Sequence, residues 1–214
     1  DQNYTVTNGT ADSTAVLVGT KGSTVKVDIG KTLTTNTNVA LIATKAGGTS
    51  ASTALNSGNI VSTRNSGIGI YTNDSNGTSS GVVTMQNKES VGILGENNST
   101  LTNSGKIELS KDKSAGIYGK DSNITNSGAS SNGIYINDEK SAGIYGLLTS
   151  AATGTKTLNN IGLIKVDNSK SGSAGIYAKL DTSAANKLST QNSGDIEVVQ
   201  SGSAGIYAEN GSTQ

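Results

Sequence analysis

The chain sets apolar and polar residues in strict alternation over short runs: "VVTM" at 82–85, "KIEL" at 106–109, "GIYI" at 133–136, "KVD" at 165–167 and "DIEV" at 195–198. A period of two puts Val83, Met85, Ile107, Leu109, Ile134, Ile136, Val166, Ile196 and Val198 on one face and Thr84, Glu108, Tyr135, Asp167 and Glu197 on the other. Each run therefore predicts a half-buried β-strand. A second phrase follows: SGIGIY, SVGILG, SAGIYG twice and SAGIYA twice, anchored on Gly69, Gly92, Gly116, Gly143, Gly175 and Gly205. The same alternation predicts Val91 and Ala115 inside with Ile93 and Ile117, and the tyrosines outside. A third phrase, L-x-N-S-G, supplies an inward Leu101, Ile124 or Leu158 and then a turn.

Two degenerate copies of the anchor phrase lie around Val16 and Ala40, so successive anchors stand 24, 29, 23, 24, 27, 32 and 30 residues apart. Self-similarity at this period marks a stacked repeat, without the Leu consensus of a leucine-rich repeat or the ~40–45 residue period of a propeller blade. Three short strands per repeat match one coil of a parallel β-helix. The prediction is an all-β, right-handed parallel β-helix (solenoid) of about eight coils of ~23–32 residues. Residues 1–214 form one segment, with 1–12 as a weakly repetitive edge.

Gly58, Gly81, Gly105, Gly128, Gly162 and Gly194 close the third phrase, and a turn with φ > 0 is the expected reason for glycine there. Asn56, Asn103, Asn126, Asn160 and Asn192 stand two residues earlier and are expected to stack into an amide ladder. Coil length varies in one place. Insertions at 44–54, 146–157 and 178–190 leave the same corner, and insertions gathered on one face of a repeat protein often bind. They carry Leu147, Leu148, Leu180 and Leu188, which close a satellite core or meet a partner. The other candidate surface is the outward stripe Tyr71, Leu94, Tyr118, Tyr145, Tyr177 and Tyr207. Such rings stack on sugars or bury in a protein partner, or cover a strand glycine.

Composition narrows the chemistry. Leu, Ile and Val make up a fifth of the chain and Phe is absent, a level at which only the periodicity argues against disorder. Lys plus Arg and Asp plus Glu both number 16, so nucleic acid and anionic membranes are not favoured as partners. Without Cys, His or Trp there is no disulfide, no thiol or imidazole catalysis and no common metal or haem ligand, so no cofactor and no metal are expected. No run is long enough for a transmembrane helix, and the first residues lack the character of a signal peptide.

The NSG-x-I and SAGIYG phrases resemble the passenger repeats of the large type V autotransporter adhesins of Gram-negative bacteria, especially the fusobacterial ones. The resemblance is strong from about residue 55 onward. It implies a bacterial cell-surface stalk, held in the outer membrane only through a C-terminal barrel that this sequence does not contain. The chain then reads as an excised segment, expected to be monomeric and to meet a host-cell or bacterial surface protein or glycan. The alternative is a carbohydrate-active β-helix enzyme resembling pectate lyases and polygalacturonases. Its acid and base groups should cluster. Here Glu108 and Glu197 lie coils apart and Asp167 lacks a carboxylate neighbour, so the segment is expected to be non-catalytic.

Overall fold

The computed structural model describes residues 4–6, 15–167, 172–181, 183–199 and 201–210, with side chains from residue 16 onward. All regular structure among these residues is β, and every strand pairing is parallel. One turn of chain runs through Val82–Met85, Val91–Glu96 and Thr100–Asn103, each strand in a different sheet. Sheet I has eight strands, from Tyr4–Val6 to Asp195–Val198. Sheet II has eight, from Ala15–Gly19 to Ala204–Glu209, and sheet III has seven, from Thr24–Val27 to Leu188–Asn192. Among the described residues the protein is thus a three-sided parallel β-solenoid of seven complete turns and the first two strands of another.

Each residue lies over its equivalent one rung away, so the side-chain pattern becomes columns along the stack. In sheet I, Val83 pairs with Ile60 and Ile107, and Met85 with Ser62 and Leu109. The inward set from Val83 to Val166 is fully buried, while Thr84, Glu108 and Tyr135 are half-buried on the outer face. Asp167 falls just past its strand, and the outward position between Tyr135 and Glu197 is held by Lys165.

Sheet II departs from simple alternation. Leu41, Ile70, Ile93, Ile117, Ile144 and Ile176 form a buried column, as expected. Val91 and Ala115, expected inside with them, instead line the outer surface beside Tyr118. The cause is the anchor glycine. A Cβ on Gly92 would meet Ile107 Cγ2 at 2.9 Å, and one on Gly116 would meet Ile134 Cγ2 at 2.6 Å. Glycine and isoleucine therefore both face inward in succession. The ladder pairs Val91 with Ala115 and Ile93 with Ile117 while passing over the glycines between them, as a bulge does.

Core volume is balanced rung by rung between sheets II and III. Leu101, Ile124 and Leu158 in sheet III face Gly95, Gly119 and Gly146, where a Cβ would come within 2.6, 2.9 and 2.5 Å of those side chains. Where sheet III is small, at Gly77, sheet II supplies Thr72, whose Cγ2 would lie 3.1 Å from a Cβ there. Close packing demands such reciprocity.

The turn glycines have a different cause from the one expected. Positive φ among the described glycines occurs at Gly22, Gly30, Gly47, Gly154, Gly172 and Gly202, and at none of Gly58, Gly81, Gly105, Gly128, Gly162 and Gly194. What forbids a side chain is the neighbouring rung. A Cβ on Gly81 would sit 1.9 Å from the Gly58 carbonyl oxygen, and one on Gly105 1.9 Å from that of Gly81. Gly162 and Gly194 repeat the approach at 2.2 Å. Beside this column the Asn103 amide donates to Asn126 Oδ1 at 2.9 Å, Asn126 to Asn160 at 2.8 Å and Asn160 to Asn192 at 2.8 Å. The ladder starts at Asn56, whose amide donates to Ser79 Oγ at 3.2 Å because serine interrupts the asparagines on that rung.

Candidate binding surface

The outward column of sheet II is apolar from end to end: Val18, Ile42, Tyr71, Leu94, Tyr118, Tyr145, Tyr177 and Tyr207 stand in register. Rung spacing brings the rings into contact with one another. Tyr118 meets Tyr145 edge-on at 4.8 Å between centroids, Tyr145 stacks on Tyr177 at 4.8 Å, and Tyr177 on Tyr207 at 5.1 Å. The rings therefore cover each other along the stack and not the anchor glycines, which point inward. Such pairs add ~0.5–1.5 kcal/mol beyond area burial.

Polar partners anchor two of the tyrosines within the stripe. The Tyr71 hydroxyl donates to Glu96 Oε2 at 2.8 Å and accepts from Asn73 Nδ2 at 3.3 Å. The Tyr177 hydroxyl donates to Glu209, which also pairs with Lys179 at 3.0 Å. Burial, helped by the neighbouring Tyr145, pushes the Tyr118 phenol up to about 12, and burial likewise raises Tyr145 and Tyr71. Tyr177 is raised chiefly by its bond to Glu209, whose carboxyl is held low by Tyr177 and then by Lys179. All four of these phenols are therefore uncharged at neutral pH.

A groove runs beside the rings. Ala115, Ala142 and Ala174 form its floor, Tyr118, Tyr145 and Tyr177 one wall, and Lys113 and Lys140 the opposite rim, around about 350 Å³. It continues along Tyr177, Ala204 and Tyr207 past Gly172 and Gly202 into a further 360 Å³. The rim residues share one backbone conformation, three positions before each anchor. Ser66, Glu89, Lys113 and Lys140 have φ of 55°, 60°, 55° and 53°, and glycine takes over at Gly172 and Gly202. Along this rim Lys113 pairs with Glu89 of the preceding rung at 3.6 Å.

Sequence reasoning missed the serine between rim and floor. Ser114 Oγ accepts the Ser90 amide at 3.2 Å, Ser141 Oγ that of Ser114 at 3.1 Å, and Ser173 Oγ that of Ser141 at 3.2 Å. Each hydroxyl thereby ties its rung to the one before. The signal was present in the serine that opens every S-x-G-I phrase.

The insertions are shorter than the sequence suggested, because the strands extend into them. They span 45–52, 149–155 and 181–187, all between sheets II and III. Leu148 and Leu188, candidate contact residues, are buried at 0% and 2% exposure, with Ala152 in the same core and Leu180 and Ala184 packed against it. Leu148 and Leu188 thus extend the main core into the loops and are closed to a partner, while Leu180 is half-buried. Leu147 is half-buried in an outward column between Lys120 and Lys179. Loop 149–155 folds back over earlier rungs: Asp121 accepts the Thr149 amide and hydroxyl at 2.7 Å each, and Asn98 Oδ1 accepts from Lys156 Nζ at 2.6 Å and Thr153 Oγ1 at 2.7 Å.

Fold and surface define a parallel β-solenoid with an aromatic groove along one side. A family model described as the BigA third pectate lyase-like domain matches residues 73–187, more than half of the 214-residue chain. The chain belongs to that family, and the match supports a bacterial surface adhesin passenger. No curated protein and no solved structure matches the chain.

Proposed function

We propose that this chain is a non-catalytic stalk segment of a type V surface adhesin, similar to the large fusobacterial autotransporters and anchored in the outer membrane by a barrel elsewhere in the full-length protein. It displays a binding surface to a host-cell or bacterial surface partner. The carrying observation is the tyrosine groove. Its ring faces are consumed by mutual stacking, so it offers ring edges and alanine methyls, which suit burial of a protein partner's apolar side chains better than stacking on sugars. The enzyme alternative draws no support from the carboxylates. Tyr135 and Lys165 separate Glu108 from Glu197 in their column, about 14 Å apart by strand spacing. Lys106 pairs with Glu108 at 3.0 Å, and Lys165 with Asp167 and Glu197 at 3.6 and 3.9 Å.

The test is attachment of the purified chain to target cells. Replacing Tyr118 and Tyr145 by Ser should abolish attachment while the chain stays folded by circular dichroism. Unchanged attachment of that variant, or polyuronate depolymerisation lost on a single carboxylate substitution, would overturn the reading.

A further inference from the structure

Past its first strand, where Lys26 stands outward in register with Leu55 and pairs with Asp28, sheet III has an outer face unlike the other two. From Thr53–Asn56 to Leu188–Asn192, its two outward columns contain no charged residue. Sheet I carries Lys106, Glu108, Lys165 and Glu197 outward, and sheet II carries Glu96, Lys120, Lys179 and Glu209. In the middle of sheet III, Thr78, Thr102 and Thr125 form one column, and Asn76, Thr100 and Asn123 the column beside it. The three hydroxyls of the first column make no hydrogen bond to any described residue. In the second, Asn123 Oδ1 accepts the Thr157 amide at 3.0 Å. These rungs are the ones without long insertions, and loop 149–155 leans back over their corner at Asn98 and Asp121, giving the flat face a raised edge.

We infer that this face binds a neutral polysaccharide laid along the stack. The face presents hydroxyl and amide donors and acceptors with no formal charge, which matches a ligand that is polyhydroxylic and uncharged. It lacks the cations that an acidic glycan or nucleic acid requires. It repeats every ~4.8 Å, so a repeating ligand meets the same groups on each rung, and weak contacts add through multivalency. Apolar protein surfaces find little to bury there; the aromatic groove on sheet II serves that purpose. The inference rests on the adhesin reading but uses a different face, so the two fail separately.

Affinity electrophoresis of the whole chain through gels containing mannan, galactan or dextran, with polygalacturonate as the acidic probe, tests it. At least one neutral polymer should retard the chain, to the same degree at high salt, because no screened charge is involved. Thr78→Val/Thr102→Val/Thr125→Val keeps shape and strand propensity but removes the hydroxyls, and should weaken retardation by about tenfold or more. A single Thr102→Lys, which places a charge on an exposed strand position, should do the same should the triple variant not fold. Retardation by none of the neutral polymers, retardation only by polygalacturonate, or equal retardation of both variants overturns the inference. Self-association of the chain that the triple variant abolishes would also overturn it, by assigning the face to a second copy. Tyrosine-dependent cell attachment in the absence of any polysaccharide retardation would sink this inference and leave the adhesin reading standing.

Discussion

Glycine occurs in this chain for two separate reasons, and substitution separates them. At Gly105 the constraint is a carbonyl oxygen 1.9 Å from where Cβ would be, on a backbone that cannot move without shifting a neighbouring rung. At Gly154, φ is +70° with nothing within 4 Å, so alanine there meets only backbone strain of ~1–2 kcal/mol. Gly105→Ala should therefore lower the melting temperature far more than Gly154→Ala. A larger drop for Gly154→Ala would refute the stacking explanation. The tyrosine stripe has its own signature. Because the Tyr118 phenol is pushed up to about 12, its protonated form is favoured by folding. Its contribution is complete below the ordinary phenol value near 10 and is lost as pH rises towards 12. Thermal melts across that window should show the midpoint falling, and Tyr118→Phe should flatten part of the fall.

Between sheets II and III the insertions behave as small folded elements. Leu148 and Leu188 tie loops 149–155 and 181–187 to the core, and Asn186 Nδ2 donates to Ala152 O at 2.7 Å between them. Shortening both loops consequently costs stability, contrary to what solvated loops would do. Leu148→Ala should destabilise the chain by about 2–5 kcal/mol in denaturant unfolding, the range for a buried leucine that leaves a cavity. A cost below ~1 kcal/mol would mean that the core around Leu148 collapses freely.

Across the whole molecule, each strand pairs only with strands of adjacent rungs, and apart from loop 149–155, which reaches two rungs back to Asn98, stability is a sum of rung and interface contributions. A defect in the middle divides the stack. Ile117→Asp places a charge at a site with 0% exposure and should unfold or aggregate the chain. Glu108→Ala, on the half-buried outer face of sheet I and paired with Lys106, should shift melting by less than about 1 kcal/mol. Equal tolerance of the two would reverse the assignment of inside and outside.

Hydrophobic alternation in the runs around Val83 and Ile107, together with the recurring S-x-G-I-Y and N-S-G phrases, was enough to establish strands, stacking and the inward isoleucines. Identical phrases at a regular period impose identical columns, and a column can bury only one face. The sequence also carried the asparagine and tyrosine columns, since both repeat in register. Contacts between rungs and between sheets were decided by tertiary structure. Whether Ala115 points in or out depends on a bulge at Gly116, which alternation cannot show because glycine has no side chain to assign. Why glycine occupies position 105 depends on a carbonyl of the preceding rung, 24 residues away at Gly81. Leu148 and Leu188 were legible as apolar, with burial and partner contact both open, because burial requires two loops from adjacent turns to meet. The uncharged face of sheet III emerged only when register placed Thr78, Thr102 and Thr125 in one line, for a surface is a property of neighbours in space and not along the chain.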